Sequence, residues 1–330
     1  MNVKKTVVAA MLVCALSTGV LSEAAYLPRT FAQQAKAKIE VSEDIIAKVK
    51  KAIKAAMPNS VYEIADYSRV GMPNLPEGEY IDFELQDKRG NIVVNAQSGE
   101  IVLFSLVADL KDVPSSILIT GKNKLKEMDP KMAQVRGAYR GQDAWILQGQ
   151  NFASVTIDGK SGKVTKATVS YAKAPDKSKL DIARKTMKLL NGGQDVKVLN
   201  GVNLNYYPQN KEGKVLEFID AGLKICILHI GADTGKIWEA VLLREEETYK
   251  SDDEYRQAFA QPILTSEQAI AKAAPTVKQL FGVDLKGSKV SIQLDRYTFT
   301  KQGQPTVIAL VNPKGTFHTF EQQPMKGLKN

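Results

Sequence analysis

The chain is poor in the residues on which most recognisable chemistry depends. Its 330 residues contain two histidines, two cysteines and two tryptophans. A catalytic zinc site usually draws on three protein ligands, histidine prominent among them. Here His229 and His318 stand 89 residues apart, each in or beside a strand-like run, and read as structural or surface residues. There is no H-E-x-x-H helix, no G-x-S-x-G elbow and no glycine-rich phosphate loop. Cys226 lies in the apolar run Leu223 to Leu228 and reads as a small buried hydrophobe rather than a nucleophile. A Cys226–His229 pair is disfavoured, because side chains three apart on a strand point to opposite faces. Asp82 and Glu84 share a strand face, about 7 Å apart at the usual rise, within the range glycosidase carboxylates use. The clean apolar alternation on the other side of that strand marks theirs as a solvated face. The sequence therefore assigns no catalytic, cofactor-binding or metal-ligating residue, and the expectation is a protein that is not an enzyme.

Arginine and aromatic residues are also few. Nine arginines accompany 36 lysines, the net charge is +9, and aromatics make up 7% of the chain. Sequence-specific nucleic-acid readers lean on bidentate arginine and stacked aromatics. Dispersed lysine suits an anionic environment instead, so nucleic acid is not the expected partner. With 44% hydrophobic and 25% charged residues the composition is that of a globular protein, which excludes disorder and a polytopic membrane protein. The length predicts two or three domains.

The N-terminus has the three-part layout of a secretory signal peptide. Lys4 and Lys5 form a basic head, Thr6 to Leu21 is a mostly apolar run of sixteen, and small polar residues follow. That run is shorter than the ~20 residues needed to span a bilayer, and Ser17, Thr18 and Gly19 interrupt it. Small-x-small sites end at Ala24 or at Ala32, and both remain open, as does an uncleaved anchor. Cleavage would remove Cys14 and leave Cys226 alone. No internal disulfide could then form, and stability would rest on core burial.

The most informative feature is a recurring hairpin. It reads Ile92 to Val102, Ala153 to Val164, Ile227 to Ile237 and, in altered form, Val307 to Phe317. Each turn ends in a glycine: Gly99, Gly162, Gly235 and Gly315. A tight turn needs a residue at positive φ, which glycine supplies without steric cost. Amphipathic helices precede three of the hairpins, starting near Ser42, at a capping box Ser178-x-x-Asp181, and at a capping box Thr265-x-x-Gln268. From cap to glycine the distance is 57 residues in the first and third copies and 50 in the fourth. The second copy offers only Ser116 to Met132 as a helix, weakened by Gly121 and Pro130. Strands at Tyr80 to Gln86, Trp145 to Leu147 and Val290 to Leu294 fall between helix and hairpin. The expected fold class is α+β, with tandem small repeats, each one helix packed on its own antiparallel sheet. The predicted boundaries are a signal peptide at 1–32 and repeats at 38–108, 113–172, 176–247 and 262–323, the second and fourth degenerate. Acidic residues Glu245 to Glu247 and Glu254 lie in the linker before the last repeat, and lack the spacing of a calcium loop.

Val94-Asn95-Ala96-Gln97-Ser98-Gly99-Glu100-Ile101, following Tyr80-Ile81-Asp82-Phe83-Glu84-Leu85, resembles the PepSY domain, the peptidase-propeptide and YpeB module with a cystatin-like fold. Asp158 to Val164 and Asp233 to Ile237 carry the likeness in later copies. The tandem arrangement behind a signal peptide is similar to the exported YcdB/YcdC-type proteins of Gram-positive bacteria. The resemblance implies an exported, non-catalytic binding protein, without cofactor, that inhibits or stabilises a secreted protease or cell-wall hydrolase. The alternative expectation is an envelope-associated structural protein held to anionic wall polymer by its lysines.

Overall fold

The computed structural model describes residues 40–323 apart from 71–77, 200, 209–212, 221–224, 244–248 and 250–251. The basic head, both cleavage sites, Cys14 and Glu245–Glu247 lie outside the described residues. In chain order the elements are α1 (Glu43–Ala56), β1 (Ile64–Val70), β2 (Tyr80–Leu85), β3 (Gly90–Asn95), β4 (Ile101–Ala108), α2 (Ser115–Met128), β5 (Val135–Arg140), β6 (Ala144–Gly149), β7 (Ser154–Asp158), β8 (Val164–Tyr171), α3 (Lys177–Leu190), β9 (Val202–Tyr206), β10 (Lys214–Asp220), β11 (Ile225–Gly231), β12 (Ile237–Leu243), α4 (Asp252–Ala258), α5 (Ser266–Phe281), β13 (Lys289–Gln293), β14 (Arg296–Thr300), β15 (Val307–Val311) and β16 (Phe317–Gln322).

All sixteen described strands join one antiparallel sheet in the order β1 through β12, then β16-β15-β14-β13. This corrects the expected fold class. The chain does not build separate small modules, each with a helix on a sheet of its own, because the four-stranded stretches are welded edge to edge. β4 pairs with β5, β8 with β9, and β12 with β16. The physical reason is that a four-stranded sheet standing alone leaves two rows of unpaired main-chain groups, which pairing across the joints satisfies. The last stretch enters in reverse, so its final strand β16 takes the joint and its first strand β13 lies outermost. Val290 and Ile292 thus sit on that outer strand, not in the second-strand place that Tyr80–Leu85 occupies in the first stretch.

One face of the sheet carries the helices. Ile45, Val49 and Ile53 of α1, Ala183 and Met187 of α3, and Ala269, Ala273 and Val277 of α5 are buried against strand residues such as Phe83, Leu147, Val169, Phe218, Leu228, Tyr297 and Phe299. The caps follow local chemistry. The Ser42 hydroxyl accepts from the Ile45 amide at 3.4 Å, and Thr265 and Gln268 form a reciprocal box. At α3 the cap is Asp176, whose carboxylate accepts from the Ser178 amide at 2.7 Å, so Ser178 itself is not the cap.

The second helix exists although Gly121 lowers its propensity, and the packing explains why. A Cβ at Gly121 would stand 2.3 Å from Leu147 Cδ1 and 3.6 Å from Ile157 Cδ1. The missing side chain lets α2 lie directly on β6 and β7, and Pro130 falls beyond the helix end. Lys124 of α2 then reaches over the Tyr206 ring of β9 at 3.2 Å, binding the helix across the β8–β9 joint. Replacing Gly121 by valine should overpack this contact and cost about 1–3 kcal/mol, read as a lower urea midpoint with an unchanged slope. An unchanged midpoint would show that α2 does not press on the sheet.

Candidate functional site

The opposite face carries an unexpected row of polar side chains. Ser170, Asn203, Glu217, His229, Glu239 and Glu321 stand directly opposite one another on β8, β9, β10, β11, β12 and β16. Directly paired residues share a face, so they form one line running from the last strand of the second stretch across the third to the fourth. The Ser170 hydroxyl donates to Asn203 Oδ1 at 2.8 Å, and Asn203 Nδ2 donates to Glu217 Oε1 at 2.8 Å. His229 bridges the two carboxylates, with Nε2 3.1 Å from Glu217 Oε2 and Nδ1 2.6 Å from Glu239 Oε2. Glu217 and His229 are buried, while Glu239 and Glu321 are half-buried.

Burial by itself would lower the His229 pKa. The hydrogen bonds it donates to Glu217 and then Glu239, reinforced by their charges, outweigh it and raise the value to about 10. Burial raises the Glu321 carboxyl, helped by the neighbouring Glu239 charge and opposed by Arg296 and His229. With both ring nitrogens donating to carboxylates, the imidazolium has no lone pair to act as a base. The arrangement holds a charge and ties three strands together. Among the described residues, no group of three or more His, Cys, Asp or Glu is arranged to hold a metal ion.

A second feature lies at the sheet's margin. Beside β1 is an open pocket of 470 Å³ between α1 and the strand, lined by Ile46, Lys50, Tyr62, Glu63, Ile64 and Tyr67. The Tyr62 hydroxyl donates to the Val107 carbonyl at 2.9 Å, and the Arg89 guanidinium lies 4.6 Å from the Tyr62 ring centroid. These contacts fix one wall of the pocket, and Tyr67 packs 5.8 Å from Phe83 as another.

The residues named from the sequence fall as follows. Gly99, Gly162, Gly235 and Gly315 occupy the β3–β4, β7–β8, β11–β12 and β15–β16 turns with φ of 66, 67, 74 and 75°. At three of these turns a helix lysine reaches over the glycine: Lys48 at Gly99, Lys179 at Gly235 and Lys272 at Gly315. Cys226 is buried on the helix-bearing side with Leu228 and Ile230, while His229 takes the other. Asp82 and Glu84 are half-buried, and Asp82 accepts from Asn91 Nδ2 at 3.3 Å. His318 is half-buried on β16, its Nδ1 3.1 Å from Thr319 Oγ1. Reading His229 as an isolated residue missed its two carboxylates. A signal was present: Glu217, His229 and Glu239 each interrupt a strand that is apolar on both sides of them. A strand apolar on both faces is covered on both, and a lone ionisable group there needs a partner.

No family model, curated protein or solved structure matches the chain.

The site's contribution to stability has a definite sign. The folded pKa of His229 lies above the unfolded value of 6.5, so its contribution is complete below about 6.5 and is lost as pH rises through about 10. Replacing His229 by glutamine leaves buried carboxylates without a cation and should cost about 3–5 kcal/mol at pH 6. The gap between wild type and variant in urea unfolding should narrow steadily towards pH 10. A gap that stayed constant from pH 6 to 10 would mean that His229 is not held as an imidazolium.

Proposed function

We propose that this chain is an exported, non-catalytic binding protein that inhibits or stabilises a secreted protease or cell-wall hydrolase. The observation that carries the reading is the open antiparallel sheet, whose outermost described strands, β1 and β13, have no partner strand among the described residues. An exposed strand edge offers a row of main-chain donors and acceptors, and extended segments of other proteins add to it as one more strand. The N-terminal layout of basic head and short apolar run supports export, and the likeness to propeptide modules supports a hydrolase as partner. The polar line centred on His229 has its imidazole engaged on both sides, which supports binding rather than turnover.

Titration of the purified protein against the secreted proteases and wall hydrolases of its own organism should change the activity of one of them. The effect should saturate at a fixed stoichiometry without added cofactor, and that enzyme should co-purify. A flat response with salt-released retention on the cell envelope would favour attachment to anionic wall polymer instead, since exposed charge pairs are screened by salt.

A further inference from the structure

The helices give the molecule one strongly basic face. Of the residues exposed on α1, α2, α3 and α5, twelve are Lys or Arg and five are Asp or Glu. That excess of seven compares with +9 for the whole chain. Elsewhere among the described residues Asp and Glu outnumber Lys and Arg, 25 to 22. The five helix acids are engaged locally. Glu43, Asp44 and Glu267 sit in first turns, where they complement the helix dipole. Asp181 lies 3.9 Å from Arg184, and Glu127 2.9 Å from Lys124. The exposed lysines Lys51, Lys122, Lys126, Lys177, Lys185 and Lys278 have no ion-pair partner among the described residues. The other face of the sheet carries carboxylates instead, Asp82 and Glu84 on β2 and Glu217, Glu239 and Glu321 in the polar line. The cationic excess therefore belongs to the helix layer.

Charge decides what such a face receives. The residues outside the description hold eleven Lys and Arg against six Asp and Glu, so the rest of the chain does not supply the missing anions. A second copy stacked helix to helix would set lysine against lysine, which costs free energy. The carboxylates of its other face are buried or half-buried, and Glu217 and Glu239 are already bound to His229. A bilayer surface calls for apolar side chains beside the cations. The large apolar residues exposed on these helices, among those described, are Ile119 and Leu189. Strands in a sheet also turn by about 20–25° from one to the next, so helices laid four strands apart follow a twist and not a plane. Eleven of the twelve exposed cations are lysine. Lysine is a flexible point charge without the planar fork that reads one fixed anion geometry. These features suit a flexible chain of repeated negative charge.

We infer that the helix layer is a docking surface for a flexible linear polyanion, which runs over α1, α2, α3 and α5 with its anionic groups at the unpaired lysines. This goes beyond the hydrolase-directed function proposed above and uses a different face of the molecule.

The test titrates end-labelled, long-chain inorganic polyphosphate with the purified full protein. Anisotropy should show saturable binding whose affinity falls linearly with salt on logarithmic axes, as counterion release requires. Two triple variants remove helix charge: Lys51→Gln with Lys122→Gln and Lys126→Gln, and Lys177→Gln with Lys185→Gln and Lys278→Gln. Each should weaken binding about tenfold or more and flatten the salt slope by about 2. A control of equal charge, Lys88→Gln with Lys131→Gln and Lys289→Gln, lies off these helices and should change affinity less than about twofold. Glutamine is close to lysine in helix propensity, and circular dichroism checks that each variant is folded. Absence of saturable binding, equal weakening in the control, or a loss confined to one helix triple overturns the assignment. Tighter binding to vesicles of equal phosphatidylglycerol and phosphatidylcholine than to polyphosphate overturns it in favour of a membrane. Self-association that the helix triples abolish overturns it in favour of a second copy. The two proposals fail separately. A responsive hydrolase without polyphosphate binding removes this surface and leaves the function. Polyphosphate binding without any responsive hydrolase does the reverse.

Discussion

Three strand pairings made without a turn, β4 with β5, β8 with β9 and β12 with β16, hold this molecule together. Hairpins form between neighbours in sequence and would exist in isolated modules. These joints instead connect strands separated by a helix or by a whole stretch of chain. Each brings main-chain groups of one stretch to those of the next, and each carries the apolar helix-side face across the boundary. Leu106 and Ala108 at the first joint, and Val169 and Leu204 at the second, belong to the same buried layer as the helix stripes. Among the described residues the consequence is a single extended sheet with two outer strands, in place of four small sheets with eight.

The polar line on the other face spans two of these joints. Ser170 and Asn203 face each other across β8–β9, and Glu239 and Glu321 across β12–β16, with the Glu217–His229–Glu239 bridge between them. Buried ion pairs contribute little net stability compared with apolar packing, but they penalise any arrangement that leaves a member unpaired. A one-residue slip of β11 would turn His229 to the helix side and abandon both carboxylates. The bridge therefore acts on register, the property that a long antiparallel sheet leaves most open to error.

Much of the local structure was legible in the sequence, and the global arrangement was not. The hairpins around Gly99, Gly162 and Gly235 announce themselves through glycine at positive φ, and Thr265-x-x-Gln268 through its cap chemistry. The helix containing Gly121 was obscured because a residue that weakens a helix locally is the one that lets it approach Leu147. The joints leave no local mark, since the pairing of Val169 with Leu204 looks in sequence like any two strand residues. For that reason separate repeats were the natural expectation, and one continuous sheet is the finding. The reversal of the last stretch is equally silent, and it misplaced Val290 and Ile292. The margin beside β1, where Ile46 and Tyr67 stand, carries no mark of its own in the sequence. That they border an unfilled space follows from the absence of a described strand beyond β1, which only the topology reveals.

The most direct test of this account is residue-resolved hydrogen exchange on the free protein at neutral pH. Continuity of the sheet predicts that amides at the joints, within Leu106–Ala108, Ala138–Arg140, Asn203–Tyr206 and Glu239–Val241, exchange as slowly as those inside the hairpins, because such protection follows stable pairing. The outward amides of β1 and β13 should exchange far faster. Joint amides exchanging at loop-like rates, or uniformly protected amides along β1, would contradict the single sheet with a free first edge.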